Sequence, residues 1–308
     1  MGIFDVPRME KLPTHLNRSF SNIRYGKRKM EQREYEEIRA SNFPLCPRAY
    51  VIYRRSPTNR RPHFEQKFVS ETATHLGTAL HLVLQKWFGI EGFMHGNWVC
   101  VRCRVMEKNH TGTPRCKQCG REMLYHEYAI TPSPQTPFSG HIDGILVDDM
   151  NYLIDFKGSS VPAIRDLKNA RQPKESHYLQ TNAYAHAVNL DYQRFGLTAK
   201  IQKIIIIYVD RGQPWKTWLP MQVPLSTPVY RETIGRVQLA QECLKTGKIP
   251  RGLCVSPSDE YARWCPWQTT CFSPAIDGLL SDTVQPESRL QKESEQDLYS
   301  LASFLESH

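Results

Sequence analysis

No stretch of the 308 residues is long and apolar enough to cross a bilayer: the longest clear apolar run is 204–209, against the roughly 20 residues a spanning helix needs. The N-terminus has no signal-peptide core, and Val6 stands where a myristoylation signal wants Ser or Thr. A disulfide framework is not indicated either. Nine cysteines, an odd number gathered in clusters, suit metal sites in a reducing compartment better. These absences predict a soluble, cytoplasmic protein with no membrane partner. What is present is length for one large domain with insertions, or two domains. An excess of 40 Lys+Arg over 31 Asp+Glu, net +9, predicts attraction to a polyanion, though many soluble proteins share such a charge.

The organising stretch is 140–158, GHIDGILVDDMNYLIDFKG. Ile142, Ile145 and Val147, then Tyr152, Leu153, Ile154 and Phe156, are strand formers, and Asp148, Asp149 and Asn151 are turn residues, so the segment predicts a β-hairpin. Asp143 falls in its first strand, Asp155 and Lys157 in its second. Side chains alternate faces along a strand, so Asp155 and Lys157 point the same way. With an odd number of residues in the loop, Asp143 sits opposite or nearly opposite Asp155, and two carboxylates converge with one ammonium. Paired carboxylates resist joint ionisation unless a cation lies between them, and hard oxygen ligands suit Mg²⁺ or Mn²⁺. A lysine beside that ion orients or deprotonates a water, or holds a phosphate oxygen. The bland alternative, an exposed hairpin with solvated charges, is disfavoured because the acid and the lysine interrupt an otherwise apolar strand.

A second signal lies at C-x2-C-x12-C-x2-C, formed by Cys100, Cys103, Cys116 and Cys119. Each C-x2-C puts two thiolates on one tight turn, and two such knuckles complete a closed tetrahedral Zn²⁺ site. An insertion of about 25 residues has no core of its own without the metal. Arg102, Arg104, Lys108, Arg115, Lys117 and Arg121 make this zinc ribbon basic, so it is also a candidate DNA contact.

Around these, 71–88 predicts a helix with Leu76, Leu80, Val83, Leu84 and Trp87 at helical spacing, and Gly77 and His81 on one face. A further helix at 175–190 sets Gln180 and Tyr184 one turn apart. Residues 200–210 predict a strand buried on both faces. Trp215 and Trp218 follow in a candidate edge strand, with core or rim packing preferred to base stacking. The helix at 228–245 starts from a Ser226 or Thr227 cap with Pro228 in its first turn, and Cys243 is a packed thiol. Glu127, in a short strand ahead of the hairpin, approaches the site without being counted as a ligand.

Asp143 followed by Asp155-Phe156-Lys157 resembles the D…(D/E)-x-K signature of the PD-(D/E)XK nuclease superfamily. Gly77-x-x-x-His81 upstream and Gln180-x-x-x-Tyr184, 23 residues after Lys157, resemble the motifs of its RecB-like branch, which includes the AddB nuclease domain and the CRISPR-adaptation exonucleases. The resemblance runs over about 41–272, interrupted by the ribbon. It implies an α/β restriction-endonuclease-like core, a central mixed sheet flanked by helices. It also implies a glycine at 77 that allows close packing, and Mg²⁺ or Mn²⁺ held by His81, Asp143, Asp155 and the Phe156 carbonyl. Lys157 would act on the attacking water, with Gln180 and Tyr184 on the phosphate. Asp155 stands where many relatives carry Glu.

RecB-like enzymes of the iron-sulfur type tie one early cysteine to three late ones around a 4Fe-4S cluster. The resemblance therefore implies a cluster on Cys46, Cys254, Cys265 and Cys271, with zinc or unligated thiols as alternatives. The spacing departs from the usual C-x2-C-x5-C: Cys265 and Cys271 keep the x5 interval, but Ala262 holds the expected position and Cys254 lies eleven residues before Cys265. A loop must bulge out between ligands. The chain thus divides into a basic arm (1–40), a nuclease core (41–97 and 124–230), the ribbon (98–123), an iron-sulfur segment (231–276) and a polar tail (277–308).

The expected activity is a metal-dependent DNA exonuclease in recombination, repair or phage DNA processing, acting on DNA with single-stranded ends. The alternatives are a non-catalytic zinc and iron-sulfur nucleic-acid binder and a DNA endonuclease of the same fold.

Overall fold

Four consecutive isoleucines at 204–207 have no polar face to offer, so they can be satisfied only where both sides of a strand are covered. They form the middle of the sheet. The computed structural model describes residues 38–40, 46–55, 64–214, 216–263, 265 and 267–273, of which 55, 64–74, 260 and 261 are described in backbone alone. Residues 1–37 of the basic arm, the polar tail and Trp215 lie outside the described residues.

In chain order the elements are α1 (Pro47–Arg55), α2 (Phe64–Ile90), β1 (Met94–Val99), β2 (Met106–Thr111), β3 (Leu124–His126), β4 (Tyr128–Ile130), β5 (Gly140–Ile142), β6 (Gly144–Val147) and β7 (Asn151–Ser159). There follow α3 (Val161–Ala170), α4 (Glu175–Leu190), a 3₁₀ turn at Tyr192–Phe195, β8 (Ile201–Asp210), β9 (Trp218–Val223), α5 (Thr227–Thr246), α6 (Glu260–Arg263) and α7 (Gln268–Cys271).

The main sheet runs β2-β1-β6-β7-β8-β9, with β3 also paired to β1, and β4-β5 form a separate ribbon. Only β7 and β8 are parallel; the other pairs are antiparallel. The crossover from β7 to β8 carries α3 and α4, as a parallel pair requires. The architecture is a mixed α/β sandwich, a central mixed sheet flanked by helices.

Alternation along the strands divides the core in two. Leu153, Ile204, Ile206 and Tyr208 face α4 and α5, meeting Leu179, Ala183, Val237 and Ala240. Ile154, Phe156, Ile207 and Val209 face α2, meeting Leu80 and Leu84. Each of the Leu, Ile, Val and Phe side chains among these contributes about 1.5–3 kcal/mol by leaving water. Of the apolar stripe expected on α2, only Leu80 and Leu84 are buried, while Leu76, Val83 and Trp87 are exposed. The helix touches the sheet along a narrow line, too narrow for a stripe that wide. Trp218, on edge strand β9, is 58 % exposed, which leaves the rim rather than the core of the two packing places expected for it. No helix among the described residues is long and apolar enough to cross a membrane.

The cysteine knuckles are continuous with this sheet. Cys100 follows β1 directly, and Cys100 and Cys116 belong to the same buried cluster as Trp98, Met123 and Tyr125. The two knuckles are built alike. Arg104 N–H donates to Cys100 O at 2.7 Å and Gly120 N–H to Cys116 O at 2.8 Å. The residue four after each leading cysteine is left-handed, Arg104 at φ 56° and Gly120 at φ 70°. Trp98 seals the base of the ribbon, edge-on to Tyr125 at 5.3 Å and donating Nε1–H to His110 O at 2.9 Å. Trp98→Ala is expected to cost about 3–5 kcal/mol in urea-induced unfolding. A loss below about 1 kcal/mol would show that this end of the sheet is held by something else.

Candidate active site

The β6–β7 register sets Gly144 against Ile154 and Val147 against Asn151, leaving three residues, 148–150, in the loop. Being odd, that loop carries the register one step further to set Asp143 opposite Asp155. Asp143 itself is not in a strand but in the one-residue gap between β5 and β6. There the chain leaves β7 to pair with β4. The vacated ladder position is filled by its side chain: Asp143 Oδ2 accepts the Phe156 N–H at 2.7 Å. A strand residue sends its N–H and C=O toward the same neighbour, so the Phe156 carbonyl faces the Asp143 side too.

Helix α2 brings His81 to this point, with Nδ1 3.4 Å from Asp143 Oδ1 and the ring edge-on to Phe156. The segment between β3 and β4 brings Glu127. One donor atom each from His81, Glu127 and Asp143 lies within 4.8 Å of the others. Gln85, one turn beyond His81 and buried, holds the group together: its Nε2 donates to Glu127 Oε1 and to the Asp143 carbonyl, both at 2.9 Å. Neither Glu127 as a member of this set nor Gln85 as its anchor was expected. The i, i+4 interval from His81 to Gln85 was the available signal.

Asp155 and Lys157 project from β7 onto the other face, toward α4. Lys157 Nζ lies 2.9 Å from Asp155 Oδ2 and donates to Oδ1 at 3.1 Å and to Gln180 Oε1 at 3.0 Å. Gln180 in turn donates to the Tyr184 hydroxyl at 3.4 Å. Tyr184 lies so close over Gly140 that a Cβ there would come within 2.3 Å of the hydroxyl oxygen. Close packing at Gly77 is not found; a Cβ there would meet nothing within 4 Å.

The electrostatics follow from crowding acids in a dry place. Burial, with the Asp143 charge adding to it and Lys157 opposing it, pushes Asp155 up to about 6. Burial and the Asp143 charge likewise raise Glu127. At His81 burial disfavours the charge, but the hydrogen bond and charge of Asp143, with Asp155 and Glu127, outweigh it and raise the pKa. Burial also opposes the Lys157 charge and is outweighed by Asp155 and Asp143, so the amine stays an ammonium. Three crowded carboxylates, of which Asp155 and Glu127 are held above their usual range, beside an imidazole and a carbonyl, form a donor set that a divalent cation would relieve.

The ribbon cysteines gather with their four sulfurs within 4.8 Å of one another. Cys100 is drawn down to about 7, chiefly by the Cys103 N–H at its sulfur, as a metal-binding thiolate needs. Cys103 is pushed up to about 12, first by sharing a hydrogen bond with Cys119. Cys46, Cys254, Cys265 and Cys271 lie near enough to act on one another electrostatically. Cys46 precedes α1, Cys271 ends α7, and Arg48 ties the two segments by donating to Cys271 O at 2.8 Å. Burial raises Cys254, and the thiolates of Cys46, Cys265 and Cys271 raise it further. Cys271 is raised by burial too, with Cys46 and Cys265 adding to it against Arg48. The bulge required between Cys254 and Cys265 is closed by Asp259, which accepts from the N–H groups of Val255 and Ser256. Ala262 is buried beneath it.

No protein-family model matches the chain, and no curated protein matches it. Among solved structures it is similar to the alkaline exonuclease LHK-Exo of Laribacter hongkongensis, with 14 % identity and a TM-score of 0.28 over 39 % of this chain. That match spans 59 % of the neighbour's length. LHK-Exo in complex with dAMP matches over 70 % of this chain and 91 % of its own, with 13 % identity and a TM-score of 0.38.

A cation here competes with protons. Asp155 must lose a proton it holds up to about pH 6, and His81 one it holds above the usual 6.5. Titration with Mn²⁺ is therefore expected to show affinity falling as the pH drops from 7 to 5, by about tenfold per unit for each proton displaced. A flat profile across that window would remove Asp155 and His81 from the ligand set.

Proposed function

We propose that the chain is a metal-dependent DNA exonuclease of the RecB-like PD-(D/E)XK kind. The observation that carries the reading is the junction of two constellations across β7. His81, Glu127 and Asp143 meet on one side of it. Asp155, Lys157 and Gln180 meet on the other. His81, Asp143, Asp155 and the Phe156 carbonyl would hold Mg²⁺ or Mn²⁺, with Glu127 as an added acid. Such an ion, when bound, supplies charge for the phosphoryl oxygens and a more acidic water.

The residues supply the rest. Lys157, kept charged by Asp155 and aimed by Gln180, directs a water in line with the scissile bond. Two of its protons are engaged, by Asp155 Oδ1 and Gln180 Oε1, which leaves the third for the water and favours orientation over deprotonation. Displacement of the 3′ oxygen leaves a 5′ phosphate. Gln180 and Tyr184 present their remaining donors to the phosphate. Burial holds the Tyr184 hydroxyl well above its usual pKa, so it stays a donor at any working pH. The positive net charge favours tracking of a polyanionic strand.

The ribbon cysteines would hold zinc. The second set is assigned a 4Fe-4S cluster: its thiols act on one another, yet among the described residues no three of them gather within 4.8 Å as the ribbon sulfurs do. A cluster is wider than a single ion, and soft sulfur donors suit it.

On end-labelled linear DNA with Mn²⁺ or Mg²⁺, progressive shortening is expected, abolished by chelation. Lys157→Ala or Asp155→Ala should slow it by at least about 10³-fold, the loss of about 4 kcal/mol of transition-state stabilisation. Discrete products from circular plasmid would favour the endonuclease, and degradation indifferent to both substitutions would leave only a nucleic-acid binder. Protein purified without air is expected to absorb in the visible and to carry iron, and Cys265→Ser to lose both. A colourless preparation with zinc at both sites would overturn the cluster.

A further inference from the structure

One turn before Gln180 on the same helix stands a histidine that the hydrolytic machinery does not use. His177 is half-buried, and its Nδ1 lies 2.9 Å from the hydroxyl of Tyr208, itself fully buried on β8. That hydroxyl also accepts the Lys174 backbone N–H at 3.2 Å. A phenol has one proton to give, and among the described residues the only acceptor for it is Nδ1 of His177. Any other arrangement leaves a buried O–H unmade. The relay Lys174 N–H to Tyr208 Oη, then Tyr208 O–H to His177 Nδ1, therefore fixes the ring proton on Nε2. Nε2–H makes no hydrogen bond within the described residues and is not among the buried unpartnered atoms, so solvent reaches it.

The charges acting on His177 are the ammonium groups of Lys157 and Lys174. Burial first, then these two charges, hold its pKa down to about 3, and burial pushes Tyr208 up to about 12. The imidazole is neutral and the phenol protonated at any working pH. A directed N–H donor in the field of two ammonium groups is a setting for an anionic oxygen.

We propose that His177, with Lys174 and Lys157, forms a second phosphate-binding position next to the scissile one, taken by a neighbouring phosphodiester of the substrate strand. The proposal rests on the nuclease reading and deepens it. His177 is a positioning residue: it holds the strand in register so that the scissile phosphate meets Lys157, with no proton transfer of its own.

The test uses the full-length chain with Asp155→Asn to stop turnover, and binding of a fluorescent single-stranded oligonucleotide read by anisotropy. Adding His177→Ala is expected to weaken binding about tenfold, the loss of one hydrogen bond to a charged oxygen. His177→Gln, which keeps an N–H near the Nε2 position, should stay within about threefold and guards against simple misfolding. In a scan of single methylphosphonate linkages, one neutralised linkage should weaken the His177 protein by at least about tenfold and the His177→Ala protein by clearly less, the remainder being the attraction of the two lysines. In the otherwise wild-type enzyme, His177→Ala should raise KM with kcat little altered.

Equal binding with and without His177→Ala, or no linkage at which the two proteins differ, overturns the inference while cleavage by the wild-type enzyme leaves the nuclease reading standing. Binding that depends on His177 and one linkage, in a protein that never cleaves, keeps the phosphate position and overturns the nuclease. Failure of the parent to bind DNA overturns both.

Discussion

Too much negative charge is buried at one point of β7, and the surrounding structure is arranged around that. Asp155 is almost wholly inaccessible, Asp143 nearly so, and Glu127 stands beside them. Isolated carboxylates in such a place would take up protons. Three compensations are on hand: Lys157 against Asp155, the Phe156 N–H against Asp143, and Gln85 against Glu127. None neutralises the whole group, since Asp155 is still pushed up to about 6. A fold that only needed stability would do better with apolar residues here. The residual imbalance is one that a divalent cation would relieve, and the strand break at Asp143 contributes to it: a regular ladder would satisfy Phe156 but turn no carboxylate toward His81.

Local pattern carried the parts of this arrangement that depend on short intervals. The two-residue step sets Lys157 beside Asp155 and the helical interval puts Gln180 under Tyr184; both are readable from spacing alone, whereas bringing Asp143 near Asp155 required an odd loop, whose length the structure supplies. The isoleucine run gave away the buried strand for the same reason. Glu127 was not readable as part of the set, because its place depends on β3 and β4 belonging to different sheets, a long-range fact. Gln85 lies at a legible interval from His81, yet nothing local says that a glutamine on a helix will be buried against a strand break. The apolar stripe on α2 misled in the opposite sense. Periodicity reports which side chains share a face, not how wide a contact the opposing sheet offers.

The two cysteine groups act on opposite margins of the same scaffold. The ribbon extends the sheet beyond β1 and closes the core under Trp98, where β1 would otherwise end in exposed edge. The start of α1 and α7, more than 200 residues apart in sequence, are tied by Arg48 to Cys271, and a cluster held by the C-terminal cysteines and Cys46 would join them covalently as well. Linking distant segments removes much chain entropy from the unfolded state. With metal bound, both groups would stiffen the margins, so that the acids at the centre need not be placed by core packing alone.

Helix α4 is where packing and chemistry meet most directly. Leu179, Ala183 and Val188 are buried against the sheet and α5, while His177, Gln180 and Tyr184 run along the side that reaches Lys157 and the hairpin. The polar line cannot move without the apolar one. Alanines at 183 and 187, one turn apart and buried, let the helix pack closely, and a larger side chain there would lift it off its neighbours. Gly140 makes the same demand from below, since a Cβ would strike Tyr184. A shift of the helix by a fraction of an ångström would loosen the Gln180–Lys157 hydrogen bond before it cost much burial, because hydrogen bonding is directional and burial is not. Small residues remote from any acid therefore set the aim of the lysine, and the precision of the site is a property of how α4 is seated rather than of the charged residues themselves.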